Sequence, residues 1–107
     1  MAVPEIDVDM LALRREVGEH VIDVREVDEY EDEHVPGAIL IPLGDLADRV
    51  DEVPTDRPVL VICKSGARSR RAAEFLIENG IDASNVAGGT LAWIDSGRDV
   101  VEGGEPG

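Results

Sequence analysis

Cysteine, lysine and aromatic residues are scarce in this sequence of 107 residues. It contains one cysteine, Cys63, one lysine, Lys64, and only one each of Trp, Tyr and Phe. A lone cysteine excludes an internal disulfide and a zinc site built from several cysteines. With so few aromatic side chains, the core must consist mainly of Val, Ile, Leu and Ala, a composition that is typical of buried parallel strands.

Long apolar segments are also missing. No run approaches the length of about 18 residues that a membrane-spanning helix needs, and the N-terminus carries neither the basic nor the apolar part of a signal peptide. We therefore expect no membrane insertion and a cytoplasmic location. His20 and His34 have no cysteine companions and no recognisable metal spacing to carboxylates, so neither a metal nor another cofactor is expected.

Acidic residues outnumber basic ones by 24 to 10, which gives a formal net charge of −14. A field of this sign repels nucleic acid and anionic membrane surfaces, so neither is an expected partner. An acidic, lysine-poor surface suits a salt-rich cytoplasm, where screening removes most of the self-repulsion. We hold that adaptation to salt as a hypothesis.

Turn signals divide the chain into alternating strands and helices without an internal repeat or linker, which predicts a single domain over residues 1–107. Its core is expected at about 6–100, with a flexible Gly/Glu/Pro tail at 102–107. The alternation predicts an α/β domain with a mainly parallel sheet. Strands are predicted at 21–24, 38–41, 59–62 and 85–87, and helices at 8–17, 26–33, 45–50, from the end of the cysteine loop at 69 to 79, and at 91–95.

Cys63 directly follows the clearest strand, the aliphatic run 59–62, which should lie centrally in the sheet. Ligands of parallel sheets bind beyond the carboxyl ends of the strands, where Cys63 falls. Gly66 permits a backbone conformation in which successive N–H groups converge on one point, and the following helix adds its positive N-terminal end. Together these features favour a thiolate at position 63 and an anion held against it.

The segment 57–73 contains five basic residues and no acidic one. This predicts a positive patch that draws an anionic substrate towards Cys63 despite the overall charge. The competing interpretation is that a lone cysteine after a buried strand is simply a small core residue. The glycine-containing loop, the helix start and the patch together favour the reactive interpretation. The members of the patch are Arg57, Lys64, Arg68, Arg70 and Arg71.

The segment Cys63–Ser69 resembles the active-site loop of the rhodanese family of sulfurtransferases. Asp23–Glu26 resembles the first signature of that family, His34–Ala38 resembles the second, and Gly88–Gly89 with Trp93 resembles the C-terminal one. Each motif alone is weak, but four in the right order are strong evidence. The resemblance implies a three-layer α/β domain in which a mainly parallel sheet of about five strands is flanked by helices.

The same resemblance implies that Cys63 attacks a small anionic sulfur donor such as thiosulfate, becomes a persulfide, and passes the sulfur on. Loop amides would stabilise the persulfide, and Lys64 and Arg68 would orient the donor. Because no second cysteine exists, the acceptor must be external: cyanide, a thiol or a protein. The residues expected to bind substrate are Lys64, Ser65, Gly66, Ala67, Arg68 and Ser69.

Three further residues invite a catalytic interpretation. Asp23 and Arg25 could reach the active site, but an ion pair that ties the strand end to nearby loops is the favoured interpretation. His34 precedes a Pro-Gly turn, which favours turn stabilisation, and sulfur transfer from a ready thiolate needs no general base.

Two other functions stay open at this stage. A phosphatase or arsenate reductase also places a cysteine and an arginine around an anion, but related phosphatase loops hold five residues between the two, and this loop holds four, 64–67. The domain could also act as a protein-bound sulfur carrier or a regulatory binding module, because acceptor choice depends on the surface around the loop.

Overall fold

The computed structural model describes residues 2–107 and confirms the α/β architecture. The strands are β1 (Glu5–Ile6), β2 (His20–Asp23), β3 (Ile39–Leu40), β4 (Val59–Ile62) and β5 (Ala83–Val86), and the helices are α1 (Val8–Glu16), α2 (Val27–Asp32), α3 (Ala67–Glu78) and α4 (Gly89–Asp95). The five strands are parallel and form one sheet in the order β1-β5-β4-β2-β3, so β4 is the central strand, as predicted.

Two apolar clusters pack on opposite faces of the sheet and account for its continuous aliphatic strands. On one face Ala72, Ala73 and Leu76 of α3 pack against the sheet. On the other face Leu11 of α1 and Trp93 of α4 are buried, together with Tyr30 of α2. All four residues of β4 are buried, since helices cover both faces of this strand.

Several predicted boundaries need correction. β1 was not predicted, because two residues at the sheet edge are too few to show a periodic pattern. The helix predicted at 45–50 is instead a pair of 3₁₀ turns, Leu43–Asp45 and Val50–Glu52. Helix α3 begins at Ala67, two residues before the predicted end of the cysteine loop, so that Arg68 belongs to its first turn.

The segment 102–107, expected to be flexible, is hydrogen-bonded to the rest of the domain. Gly103 N donates to Glu31 O, and Gly37 N donates to Pro106 O at 2.8 Å. Among residues 2–107, no helix is both long and apolar enough to cross a membrane.

Candidate active site

Cys63 lies where β4 ends, beneath the loop that leads into α3. The residue is only 1% exposed, whereas Lys64, Ser65 and Ala67 on the crest of the loop are exposed. Gly66 has φ +116, a conformation that glycine adopts easily, and it caps the N-terminus of α3. The chain therefore reverses tightly above the sulfur atom.

A backbone amide and a side-chain hydroxyl lie within hydrogen-bond distance of the Cys63 sulfur; the loop sequence predicts amide donors, but the hydroxyl was not predicted. Gly66 N lies 3.1 Å from Sγ, and the Ser69 hydroxyl oxygen lies 3.2 Å from it. Burial opposes the charged form of the thiol, but hydrogen bonds from the Ser69 hydroxyl and from the amides of Ser69, Gly66 and Ser65 outweigh it and lower the pKa of Cys63. The arrangement favours a thiolate held by dipoles.

Helix α4 fixes the loop from the other side. Thr90 N donates to Cys63 O at 2.9 Å, and Leu91 N donates to Lys64 O at 3.1 Å. This contact requires glycine at position 89, which has φ +58, since a Cβ there would lie 2.5 Å from Lys64 O and 2.6 Å from Cys63 O. The sequence marks Gly88–Gly89 as a turn, but only the fold shows that it brings α4 against the reactive loop.

The basic patch is smaller than predicted. Arg57 precedes β4, at the opposite end of the strand from Cys63, and its guanidinium donates to Val17 O. Arg68 is held by Glu29 of α2 through two hydrogen bonds of 2.7 and 2.9 Å. Arg70 lies near Glu5 and Glu74, whereas Lys64 and Arg71 are left out of the ion pairs formed by residues 2–107.

A cavity of about 190 Å³ adjoins the loop between α2 and α4. Its walls carry two cations and three carboxylates beside apolar side chains, so it offers no strong preference for an anion. The charged residues that line it are Arg25, Lys64, Glu29, Asp32 and Glu33.

Asp23, Arg25 and His34, which the sequence analysis considered as supporting residues, lie apart from the groups that donate hydrogen bonds to Cys63 Sγ. Asp23 is fully buried and accepts hydrogen bonds from the backbone N–H and the guanidinium of Arg25, which also reaches Glu33 O at 2.9 Å. His34 is buried, stacks on Tyr30 with ring centroids 3.6 Å apart, and has both ring nitrogens near carbonyl oxygens. Asp23 and Arg25 form the expected ion pair, whereas the His34 ring contacts α2 and the segment 102–107 and not the Pro-Gly turn that follows it.

One residue of the site was missed from the sequence. Asn85 in β5 is 1% exposed, and its Oδ1 lies 2.5 Å from the Ser69 hydroxyl oxygen. Its amide nitrogen lies 3.2 Å from Gly66 O, so Asn85 contacts both the loop and the first turn of α3. The available signal was a polar side chain on the strand predicted at 85–87, in a sheet expected to be covered by helices, since buried polar groups need partners.

Comparisons with known proteins agree with this geometry. The rhodanese-like domain model matches residues 7–96, and the chain belongs to that family. A sulfurtransferase of Allochromatium vinosum is 35% identical over 102 residues, which cover 92% of this chain and 95% of that protein. The thiosulfate sulfurtransferase GlpE of Pseudomonas syringae is 34% identical over 80 residues, 74% of this chain and 76% of its own length.

Solved structures show the same fold. The crystal structure of a rhodanese-related protein from Thermoplasma volcanium has a TM-score of 0.87 at 33% identity, covering 92% of this chain and 97% of that one. Some relatives are longer: the chain spans about half, 51%, of Bacillus subtilis YrkF, to which it is 35% identical.

Proposed function

We propose that this sulfurtransferase carries sulfur on Cys63 as a persulfide, taking it from a small anionic donor of the thiosulfate class and delivering it to an external thiol. Membership of the rhodanese-like family and the sulfurtransferases among the relatives support sulfur transfer in general. The observation that carries the finer proposal is the set of amide and hydroxyl donors around Cys63 Sγ.

The first step needs no oxidant. The Cys63 thiolate attacks the outer sulfur of thiosulfate, an Sγ–S bond forms, the S–S bond of thiosulfate breaks, and sulfite leaves with the electron pair. Amides that stabilise the thiolate then face the charge of the persulfide, in the manner of an oxyanion hole. In the second step an acceptor thiolate attacks the outer sulfur, and Cys63 leaves as the thiolate.

The acceptor comes from outside the chain, because Cys63 is its only cysteine. A donor anion approaching the loop meets Lys64, which is exposed on the crest and takes part in none of the ion pairs among the residues that the structure describes. Arg68 is engaged with Glu29, so the role of orienting the donor falls mainly to Lys64 and the loop amides.

The geometry disfavours the phosphatase alternative. A cysteine phosphatase needs its loop arginine to bind two oxygens of the phosphoryl group, but the Arg68 guanidinium is bound in that way by the Glu29 carboxylate.

Intact mass spectrometry after incubation with thiosulfate tests the proposal. The wild type should gain the mass of one sulfur atom, and dithiothreitol should remove it. The Cys63→Ser variant, which keeps the size of the side chain, should gain nothing. An unchanged wild-type mass with thiosulfate and with a low-molecular-weight persulfide, or turnover of a phosphoester instead, would overturn the assignment.

A further inference from the structure

The Ser69 hydroxyl carries one proton but faces two acceptors. Its oxygen lies 2.5 Å from Asn85 Oδ1 and 3.2 Å from Cys63 Sγ. Ser69 is fully buried and Asn85 is 1% exposed, so bulk water does not relieve the competition. A hydroxyl group donates one hydrogen bond at a time, and the two acceptors therefore exclude each other.

The orientation of the Asn85 amide is fixed by its other two neighbours. Nδ2 lies 2.8 Å from Glu5 Oε2 and 3.2 Å from Gly66 O, and both of these oxygens are acceptors. Turning the amide over would place Oδ1 against a carboxylate and a carbonyl, with no proton between them. The acceptor Oδ1 must therefore face Ser69.

We propose that Asn85 is a positioning residue for sulfur transfer, which holds the Ser69 proton while Cys63 Sγ is uncharged and releases it when Sγ becomes a thiolate. The inference rests on the proposed function. In the thiol and in the persulfide, Sγ is a weak neutral acceptor, so the proton stays with Asn85. A thiolate is a charged and stronger acceptor, so the hydroxyl rotates towards it without breaking its O–H bond.

The competition has a direct chemical consequence. Each departure of sulfur to an acceptor leaves a thiolate, which gains the Ser69 hydrogen bond as it forms. The hydrogen bond from Ser69 to Asn85 must break before Ser69 can donate to the thiolate. Asn85 therefore leaves the thiolate less stabilised than Ser69 would without this competition. A less stabilised thiolate is a stronger nucleophile for the next sulfur atom.

Glu5 extends the network to the edge of the sheet. It pairs in register with Asn85 across the β1–β5 ladder, and its side chain is 46% exposed. Its carboxylate sets the orientation of the amide without touching the reacting atoms. The residue thus positions the site from 58 positions before Cys63 in the chain.

A double-mutant cycle tests the inference, with iodoacetamide alkylation of Cys63 measured across pH. Asn85→Leu should move the midpoint of the profile to lower pH, raise the thiolate fraction below the midpoint about three- to tenfold, and lower the limiting rate at high pH. Ser69→Ala should move the midpoint upwards. The double variant should behave as Ser69→Ala alone, since the inference has Asn85 influence the charge of Sγ through the Ser69 proton.

A retained hydrogen bond, a replacement variant and a control make the result of the double-mutant cycle interpretable. In Asn85→Leu the carbonyl of Gly66 keeps Arg70 N as a donor at 3.2 Å, so the loop retains a helical contact there. Should Asn85→Leu fail to fold, Glu5→Gln leaves Asn85 in place, frees its amide to turn over, and should shift the midpoint in the same direction by less. Asn79→Ala removes an exposed asparagine amide bonded to Phe75 O and should leave the profile unchanged.

An Asn85→Leu shift that persists in the Ser69→Ala background, or one towards higher pH, would show the inference to be wrong. Alkylation requires no sulfur donor, so the two proposals fail separately. If the wild type takes up no sulfur but the Asn85→Leu shift still depends on Ser69, only the proposed function is refuted. If the wild type takes up sulfur but the shift does not depend on Ser69, only the role of Asn85 is refuted.

Discussion

Two neighbouring parallel strands, β2 and β4, end at the same edge of the sheet, where one contributes the carboxyl group of Asp23 and the other leads into the thiol of Cys63. Asp23 closes β2 in register with Ile62, and Cys63 follows Ile62. The Asp23 carboxylate is held by the Arg25 guanidinium and backbone N–H, whereas Cys63 Sγ is held by Gly66 N and the Ser69 hydroxyl.

Under the proposed function, the difference separates a carboxylate that supports the structure from a thiolate that reacts. A carboxylate bound in two-pronged fashion by a guanidinium has its lone pairs occupied and is fixed in place. A thiolate held by dipoles alone is stabilised but keeps lone pairs for bond formation. Under the proposed function, the same edge of the sheet therefore holds a fixed ion pair at the end of β2 and the reacting sulfur atom after β4.

The largest expected effect comes from removing the buried carboxylate of Asp23. Asp23→Ala leaves the guanidinium of Arg25, 6% exposed, without its carboxylate, and should lower the free energy of unfolding by about 3–5 kcal/mol. Urea denaturation measures this loss. Asp48→Ala is the matched control, because Asp48 is exposed and forms no ion pair within residues 2–107. Equal stabilities of the two variants would contradict the structural role of Asp23.

The reactive loop should respond to a change that leaves every donor in place. Gly89→Ala forces a Cβ against Cys63 O and Lys64 O, so α4 and the loop must separate. Displacing a reacting group by about 1 Å costs on the order of 100-fold in rate, and we expect a loss of that size in sulfur transfer to cyanide.

Gly97→Ala is the control for backbone strain. Gly97 also has positive φ, +80, but no atom of the described residues 2–107 lies within 4 Å of a Cβ built there, apart from its own chain neighbours. This variant should transfer sulfur at nearly the wild-type rate. Equal losses in the two variants would mean that strain alone, not contact with the loop, explains the effect of Gly89→Ala.

A smaller effect is expected at the ion pair between α2 and α3. The hydrogen bonds from Arg68 hold the pKa of Glu29 at about 2, below its ordinary 4.5. A depressed carboxyl pKa contributes stability above the unfolded value, and that contribution is lost as pH falls from about 5 to about 2. Glu29 Oε1 also accepts a hydrogen bond from Glu26 N at 3.1 Å, at the start of α2. Glu29→Gln keeps an oxygen for that hydrogen bond but removes the charge, and should cost about 1 kcal/mol at pH 7.

The pH dependence distinguishes this ion pair from a simple packing contact. The difference in unfolding free energy between wild type and Glu29→Gln should shrink as the pH is lowered and vanish near pH 2. A constant difference across that range would show that charge is not its origin. Glu52→Gln, at an exposed pair with Arg49, should change little.

Local patterns in the sequence predict the centre of this molecule well. The aliphatic strand 59–62, the glycine turn and the helix start are encoded within twenty consecutive residues, and the donors around Cys63 follow from them. The pairing of Arg68 with Glu29 and of Ser69 with Asn85 joins residues 39 and 16 positions apart, for which no local signal exists.

The error over the basic patch has the same origin. Nearness in sequence suggested that Arg57 and Lys64 share a surface, but the four-residue strand β4 stands between them and places them at opposite ends of the sheet. An extended strand advances about 3.3 Å per residue, so a short strand is enough to separate two charges by more than a Debye length at physiological salt.

The smallest expected effect concerns the surface as a whole. With a net charge of −14, self-repulsion should outweigh the few exposed ion pairs, so raising KCl from dilute buffer to about 1 M should raise the thermal midpoint by a few degrees. Near pH 4, where carboxylates become protonated, the rise should be smaller. A midpoint that stays level or falls with KCl at pH 7 would mean that the ion pairs, including Arg68–Glu29, dominate the salt response, and the hypothesis of adaptation to a salt-rich cytoplasm would fail.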